Sequence, residues 1–352
     1  MGVQAQGLPL GTRLRLGKAV MVPVWSSGFI VGTLAVRHAS GLSLLFWRMS
    51  VASLVMAAIA LAFRVEWPRD LRTLLEMVVV GLLLQAAQFV GIFLALEHGV
   101  PAGLVALLAG SSPLLVAVLA TALLDEHLEP VQWVGSAIGV AGVVFAVIEE
   151  LNGTGSAIGF LFALVGLAGL VGGTLVQRVG GAEVDPRAAN TIQLIVAAAV
   201  IAPLTALTAD FDLTAAALAP LAWLTFGLSI GAVMLFFWLL RNEKSGEATS
   251  FLYLVPATTA IGGAAFLGQP LQLGAVVGLV LAFIGVRMVS APAESFPVRR
   301  AARSSRGGCG RPPGPAGPRP AGTPPPGCRP CRGSTGRART APAPRPRLSG
   351  RS

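Results

Sequence analysis

The first 290 residues alternate long apolar runs with short polar segments. Each run holds about 20 mostly apolar residues, the length that an α-helix needs to cross the roughly 30 Å hydrocarbon core of a bilayer. The shortest separators, "EHGVP" and "GQPLQ", follow the third and the ninth run. The ten runs are 18–36, 42–63, 74–96, 100–124, 131–148, 157–176, 188–208, 219–240, 247–267 and 271–289. This pattern predicts an all-α integral membrane protein with ten transmembrane helices.

Composition agrees with a membrane protein and sets the last part of the chain apart. The chain is 54% hydrophobic and 12% charged, whereas soluble domains carry about 25% charged residues. Residues 1–290 have a net charge of −2, and residues 291–352 have a net charge of +12. Because 291–352 is rich in Pro, Arg, Gly and Ala and has almost no large apolar side chain, we predict a disordered C-terminal tail.

Binding roles for this tail are weaker interpretations than a solvated extension. Its arginines would be attracted to anionic lipid at the inner leaflet, but towards nucleic acid they would supply only unspecific phosphate attraction. All three cysteines, Cys309, Cys328 and Cys331, lie in the tail, and the metal site that they suggest lacks a fourth ligand. We therefore predict no metal, no cofactor and no specific nucleic-acid partner.

Lysine and arginine residues cluster at alternate ends of the runs. With a cytoplasmic N-terminus, eleven of them lie at inner ends, and Arg37 is the one at an outer end. Since cytoplasmic loops of membrane proteins carry an excess of Lys and Arg, this distribution predicts cytoplasmic N- and C-termini and an even number of spans.

An internal repeat relates the two halves of the membrane region. A shift of 143 positions pairs Pro113 with Pro256 and Glu126 with Gln269, and a shift of 141 pairs "GFIVGTLAVR" with "GLVGGTLVQR". Each half holds five runs, so the second half is expected to sit upside down in the membrane relative to the first. Inverted repeats of this kind are the architecture of secondary transporters.

Each half also places a proline in the middle of a span. Proline cannot donate a backbone hydrogen bond and frees the carbonyl four residues earlier; for Pro113 and Pro256 those carbonyls belong to Ala109 and Leu252. A packing kink would explain one such proline. Two prolines at corresponding positions of inverted halves favour a central substrate site.

Several motifs together resemble a known family. Trp25 in "VWSSGF", Arg48 in "FWRMS" and the block "SPLLVAVLATALLDEHLEPVQWVGSAIGVAGVV" from Ser112 onward resemble the EamA-type transporters of the drug/metabolite transporter superfamily. The resemblance covers about residues 18–289 and leaves the tail out. One departure is Gln269, which stands where the family's second repeat usually carries a glutamate.

The resemblance implies a secondary transporter of the cell inner membrane, either an exporter or an importer. Of the two directions, we predict export. Its small-molecule substrate would be an amino acid, a nucleobase or an organic cation, carried by alternating access between the two repeats through a central cavity. A homodimer and proton coupling are left open. The predicted organisation is a cytoplasmic N-terminal segment 1–17, a first EamA-like repeat 18–148, a second EamA-like repeat 157–289 and the tail 291–352.

Arg48 is the most conspicuous polar residue within a span. It lies six residues into the second run, or roughly 9 Å deep at 1.5 Å per residue. An arginine at this depth can snorkel to the headgroups or pair with an acid, for which Glu97 is the nearby candidate. It can instead face the transport pathway and hold a substrate carboxylate or phosphate. The sequence leaves both readings open.

Other polar and aromatic residues within the spans complete the predicted cavity. Gln85 and Gln88 are one helical turn apart and are expected to share a face, and a buried amide needs a partner or water. For Glu126 and Gln269 we favour structural roles at helix ends, such as capping the fifth span by Glu126. The cavity candidates are Trp25, Arg48, Gln85, Gln88, Ser112, Pro113, Gln193, Trp238, Tyr253 and Pro256.

A membrane-embedded enzyme acting on a lipid-linked substrate is the alternative function. It would need acids, histidines or metal ligands clustered inside the bilayer, but His38, His98 and His127 fall at span ends. We therefore predict no enzymatic activity. Carboxylates that could relay protons are scarce within the predicted spans, which favours facilitated or weakly proton-coupled transport.

Overall fold

The chain is all-helical over the residues that its computed structural model describes, which are 9–124, 126–152, 156–180, 184–207, 214–242 and 250–290. Nine helices in these ranges are long and apolar enough to cross a membrane, so the chain is a multi-pass membrane protein. They are α1 (Leu10–Ala35), α2 (Gly41–Ala62), α3 (Leu71–Glu97), α4 (Ala102–Leu123), α5 (Pro130–Asn152), α6 (Ala157–Gly180), α7 (Pro186–Leu207), α8 (Ala215–Asn242) and α10 (Leu273–Ser290).

The predicted ninth span, 247–267, is described from residue 250 onward. It contains helix α9 (Val255–Leu267), which follows a 3₁₀ turn at Ser250–Leu254. The apolar helical stretch Leu252–Leu267 is below the length of the other spans. The tail 291–352, with its three cysteines, lies outside the described residues.

Two helix starts follow local capping rules. The hydroxyl of Ser40 accepts a hydrogen bond from the Ser43 amide (3.2 Å) at the start of α2, and the carboxylate of Asp70 accepts one from the Thr73 amide (2.8 Å) at the start of α3. Such side chains satisfy amides that have no partner within the helix. The hydrogen bonds with Thr73 lower the pKa of Asp70, which lies in the loop before the span.

Four of these spans are interrupted, and the interruptions fall at matching places in the two halves. Helices α3 and α8 each contain a π-helical segment, at Gly81–Ala87 and at Trp223–Ala232. Helix α4 breaks at Ser111 and resumes at Ser112–Leu123, so that Pro113 stands in the first turn of the second segment. Pro256 has the same place at the start of α9. The prolines were predicted from the sequence, whereas the π segments were not.

Helices α5 and α10 pack through glycines and run antiparallel. Gly135, near the start of α5, lies against the carbonyl of Gly285, near the end of α10, and Gly142 lies against Gly278 in the same way. When the residue numbers of successive contacts increase along one helix and decrease along the other, the two helices run antiparallel. The missing side chains allow the backbones to approach closely, which is how helices associate in lipid.

Two further pairs, α4 with α9 and α2 with α7, also cross antiparallel. Gly103 lies against Ala260 and Gly110 lies against Pro256, so α4 and α9 meet beside their proline breaks. For the other pair, the Thr205 hydroxyl near the end of α7 donates to the carbonyl of Leu42 at the start of α2 (3.4 Å). In each of the three pairs, the two helices occupy the same ordinal place in their halves of the chain.

Candidate functional site

Arg48 is buried between helices instead of reaching a headgroup. It lies on α2 with 4% of its surface exposed. Its Nε donates a hydrogen bond to the hydroxyl of Ser229 on α8 at 2.9 Å, and its guanidinium lies over the ring of Phe89 on α3, 4.5 Å from the ring centre, with Phe93 at 5.9 Å. A desolvated guanidinium over an aromatic face is held by about 2 kcal/mol. The site therefore joins α2 and α3 of the first half to α8 of the second.

The expected partner of Arg48 is engaged elsewhere. Glu97 accepts a hydrogen bond from the amide of Gly41 at 2.9 Å, which caps the start of α2. Among the described residues, no carboxylate forms an ion pair with Arg48 and none accepts a hydrogen bond from its terminal Nη atoms. These two nitrogens are the donors with which the site can hold a further group.

The π segment of α8 contacts Arg48, and the π segment of α3 ends two residues before Phe89. Ser229 lies in the π segment of α8, and its hydroxyl also donates to the carbonyl of Leu224, five residues earlier (3.2 Å). On α3, Gln85 lies within the π segment and Gln88 directly follows it. Both glutamines are half-buried, and within the described part of the chain their amides have no hydrogen-bond partner. π segments of this kind are frequent at functional sites.

Glycines of α1 and α6 pack against these π segments. Gly28 of α1 lies against Leu228 in the π segment of α8, and Gly173 of α6 lies against Leu84 in the π segment of α3. Gly32, one turn after Gly28, packs against Leu96 and Phe93 of α3, and Phe93 is one of the two aromatic residues beside Arg48. The small residues thus permit the close packing expected of their GxxxG spacing.

The two predicted tryptophans lie together with other aromatic residues on α1 and α8. Trp25 packs edge-to-face on Phe236, with ring centres 5.6 Å apart. Trp238 packs beside Gly17, closer to the start of α1. Both tryptophans border a small cluster of buried apolar residues that includes Met21. The two tryptophans and Phe236 form an aromatic surface along α1 and α8. This surface is displaced along the helices from Arg48.

Of the two proline candidates, Pro256 lies where α4 crosses α9. Pro256 is buried against Gly110, and the Ser26 hydroxyl of α1 donates to the carbonyl of Val255 at 3.2 Å. Ser112 and Pro113 are half-buried. Tyr253 packs against a small apolar cluster formed by α4 and α10. The crossing of α4 with α9 therefore also involves α10, through the cluster that Tyr253 packs against. Helix α1 is joined to it by the hydrogen bond from Ser26 to Val255.

Gln193 belongs to a helix interface. It is 6% exposed on α7, its backbone lies against Gly81 of α3, and its amide nitrogen is 4.0 Å from the sulfur of Met77. The structure therefore joins Gln193 to the α3–α7 packing and not to the surroundings of Arg48.

The two helix-end residues lie at opposite ends of α4. Glu126, just after α4, forms a 3.1 Å ion pair with Arg178 at the end of α6, and both side chains are about half exposed (44% and 48%). Gln269, just after α9, accepts a hydrogen bond from the amide of Ala102 at the start of α4 (3.1 Å). Gln269 therefore caps α4, while the described contact of Glu126 is the ion pair and not a cap on α5.

Comparison with known proteins agrees with this architecture. The EamA-like transporter family model matches residues 18–148 and 157–291. The chain belongs to the EamA-like transporter family. An uncharacterized transporter, YvbV, of Bacillus subtilis (strain 168) is 24% identical over 81% of this chain and 93% of its own length. The uncharacterized inner membrane transporter YedA of Escherichia coli (strain K12) is 26% identical over 80% and 94%.

Two further similarities are partial or concern the fold alone. A probable amino-acid metabolite efflux pump of Salmonella typhimurium (strain LT2) is 30% identical over 41% of this chain and 46% of its own length. A solved crystal structure shares 17% sequence identity with a TM-score of 0.54, over 79% of this chain and 97% of that one. The chain is thus an EamA-family membrane transporter with several apolar helices.

Sequence reasoning missed three parts of this picture. Ser229 is not among the predicted cavity residues, because nothing in a single sequence links it to Arg48, 181 positions away. Phe89 and Phe93 were read as ordinary apolar residues of a span. Glu149 and Glu150 were placed after the fifth run, whereas α5 continues to Asn152 and contains both. A longer window over "VIEELN" would have found the last pair.

Proposed function

We propose that the protein carries a small metabolite by alternating access between two inverted five-helix repeats. The observation that supports this proposal is the antiparallel crossing of α2 with α7, of α4 with α9 and of α5 with α10. Helices that hold equivalent places in two repeats of the same orientation would run parallel, whereas inverted repeats require opposite directions. The positions of Glu126 and Gln269, equivalent in the repeat and at opposite ends of α4, support the same arrangement.

The proposed substrate site surrounds Arg48. Its Nη atoms are donors without a partner among the described residues, and a planar guanidinium suits a carboxylate. Phe89 and Phe93 supply an apolar wall beside it, and we propose that the half-buried amides of Gln85 and Gln88, on the same helix as the two phenylalanines, supply further donors and acceptors. Because the site contains a cation without an acid, it favours an anionic or zwitterionic solute and disfavours an organic cation.

An amino acid or a related metabolite fits this site best, with its carboxylate on Arg48 and its side chain against the aromatic residues. The Salmonella relative is named as a probable amino-acid metabolite efflux pump, which supports the same substrate class and export as the direction. Relatives named as transporters also favour transport over chemistry on a lipid-linked substrate. The proposed location is the inner membrane, with both termini in the cytoplasm.

Transport is tested by counterflow in liposomes that contain the purified full-length chain. Radiolabelled amino acids, nucleobases and quaternary amines are offered one class at a time. We expect saturable exchange of an amino acid and a rise in KM of about 10- to 100-fold for Arg48→Gln, because a hydrogen bond to a charged group contributes about 1.5–3 kcal/mol. Arg37→Gln, at an exposed arginine next to the end of α1, is the matched control and should behave as the unmodified protein does.

Three results would count against the proposal. Exchange of quaternary amines alone would contradict the substrate class, and an unchanged KM in Arg48→Gln would contradict the site. The inverted architecture is tested separately by labelling Glu126→Cys and Gln269→Cys with an impermeant maleimide. Labelling of both from the same side of the membrane would contradict inverted repeats, whatever the transport assay shows.

A further inference from the structure

A pair of neighbouring glutamates at the end of α5 has no cationic partner. Glu150 is 6% exposed, and one carboxylate oxygen of Glu149, Oε2, is fully buried without a hydrogen-bond partner. Within the described ranges, neither residue takes part in an ion pair. A buried carboxylate that is neither paired nor hydrogen-bonded is costly in its ionised form, so this end of the helix favours a bound proton or another positive group.

The side chain of Glu150 lines a cleft between α4, α9 and α10. The lining residues come from all three helices and include Pro101 and Leu104 of α4, Ala260 of α9, Gln269 just after α9, and Ala275 of α10. None of them is charged, and Gln269 is the polar member. The carboxylate of Glu149 packs against Gly274, in the first turn of α10, where the helix dipole offsets only part of the cost of an unpaired buried negative charge.

At the opposite end of the α5–α10 pair, the described hydrogen bond between the two helices involves no acid. There, the Nε2 of Gln132, near the start of α5, donates to the carbonyl of Val289, near the end of α10, at 3.0 Å. The contact is neutral and satisfied. The end that carries Glu149 and Glu150 is charged and includes a buried oxygen without a hydrogen-bond partner, so it departs from the symmetry of the α5–α10 packing. A packing requirement common to both ends therefore does not explain the two glutamates.

A proton fits this site better than a metal ion does. Hard cations need several oxygen ligands around them, whereas the cleft is mainly apolar, and the described residues contain no group of three or more His, Cys, Asp or Glu that could hold a metal. A proton needs one carboxylate oxygen, and the negative charge of a neighbouring carboxylate favours its retention.

We propose that Glu149 and Glu150 bind one exchangeable proton and that its uptake and release couple transport to a pH gradient. The proton passes from solvent to a carboxylate, which becomes a neutral carboxylic acid, and returns by the reverse step. With the proton bound, the cleft between α4, α9 and α10 can close without an unpaired buried charge. Loss of the proton leaves two negative charges that repel each other and attract water, which opens the cleft.

Proton binding is measured without any transported substrate. The full-length chain in lipid vesicles is titrated while the carboxylic-acid C=O stretch is followed by infrared spectroscopy. We expect a signal that persists above the pH near 4.3 at which exposed glutamates ionise, and its loss in Glu149→Gln and in Glu150→Gln. Glu66→Gln changes an exposed glutamate between α2 and α3 and should leave the signal intact.

Several outcomes would overturn the proton site. These are a signal that survives in both variants, a signal that disappears together with those of the exposed acids, and displacement of the signal by sodium at constant pH, which indicates a metal cation. If Glu150→Gln does not insert into the lipid vesicles, the same infrared titration of Glu149→Gln and of Glu150→Asp distinguishes these outcomes.

The coupling half of this inference rests on the proposed transport function, and a second measurement separates the two. With an exchanged amino acid in hand, Glu150→Gln should keep counterflow at equal pH and lose the stimulation by a pH gradient. Counterflow without the infrared signal would refute the proton site alone. The signal without transport of any offered solute would refute the proposed function and leave the proton site in place.

Discussion

Gly278→Ala tests the antiparallel packing of α5 and α10 most directly. A Cβ atom on Gly278 would lie 2.5 Å from the carbonyl oxygen of Gly142 and 2.7 Å from the Cβ of Ala146. Both are closer than real Cβ contacts, and neither atom is at the end of a flexible side chain. The two backbones must therefore separate, and overpacking of this kind costs about 1–3 kcal/mol.

A matched substitution corrects for the intrinsic preference of alanine for helix, which is worth about 1 kcal/mol. A Cβ on Gly172 of α6 would meet only side-chain atoms of Leu83, at 3.6 and 3.9 Å, so Gly172→Ala should be neutral or stabilising. The difference between the two variants isolates the helix contact. Gly135→Ala, the repeat counterpart of Gly278→Ala, should lose a similar amount, since its Cβ would lie 2.6 Å from the Cβ of Met288.

The free energy of unfolding is measured by reversible transfer from mixed micelles into SDS, followed by tryptophan fluorescence. We expect Gly278→Ala to be less stable than Gly172→Ala by about 1–3 kcal/mol. Equal stability of the two variants would show that α5 and α10 do not meet at these glycines. The support for an inverted pair would then be lost at its best-packed contact.

Substitutions at three further positions test the site and the helix ends. Ser229→Ala should raise the KM for the exchanged solute by about 10-fold or more, because it removes the hydrogen bond that orients Arg48; counterflow with an unchanged KM would contradict this role. Gln269→Ala should lower the free energy of unfolding by about 0.5–2 kcal/mol through loss of the cap on α4, while Gln269→Glu should retain it, and SDS unfolding distinguishes the two. Glu126→Gln should change unfolding by less than about 1 kcal/mol, since exposed ion pairs contribute little, and a larger loss would reveal a role beyond that pair.

The spans of this protein follow from local sequence. A segment of about 20 apolar residues must lie in the hydrocarbon core whatever its neighbours do, so most of the helices could be read from the order of residues. The same holds for the breaks at Pro113 and Pro256, because proline removes a helical hydrogen bond wherever it stands.

The candidate site depended on contacts that no local pattern contains. Arg48 could have paired with Glu97 or reached the headgroups. The partner that it has, Ser229, depends on how α2 and α8 are rotated about their axes and on the π segment that turns the hydroxyl towards it. Likewise, the cap of Gln269 on Ala102 joins residues 167 positions apart.

Sequence alone determined that the chain is helical, that it lies in a membrane, where most of its spans fall and that its halves are related. Tertiary structure alone decided which side chains face one another across the halves, and it brought Glu150 into a cleft with Gln269. The physical reason is that the free energy of transferring a segment into lipid is a sum over the residues of that segment. The pairing of polar groups inside the bilayer depends instead on distances of a few ångströms between helices that are far apart in the chain.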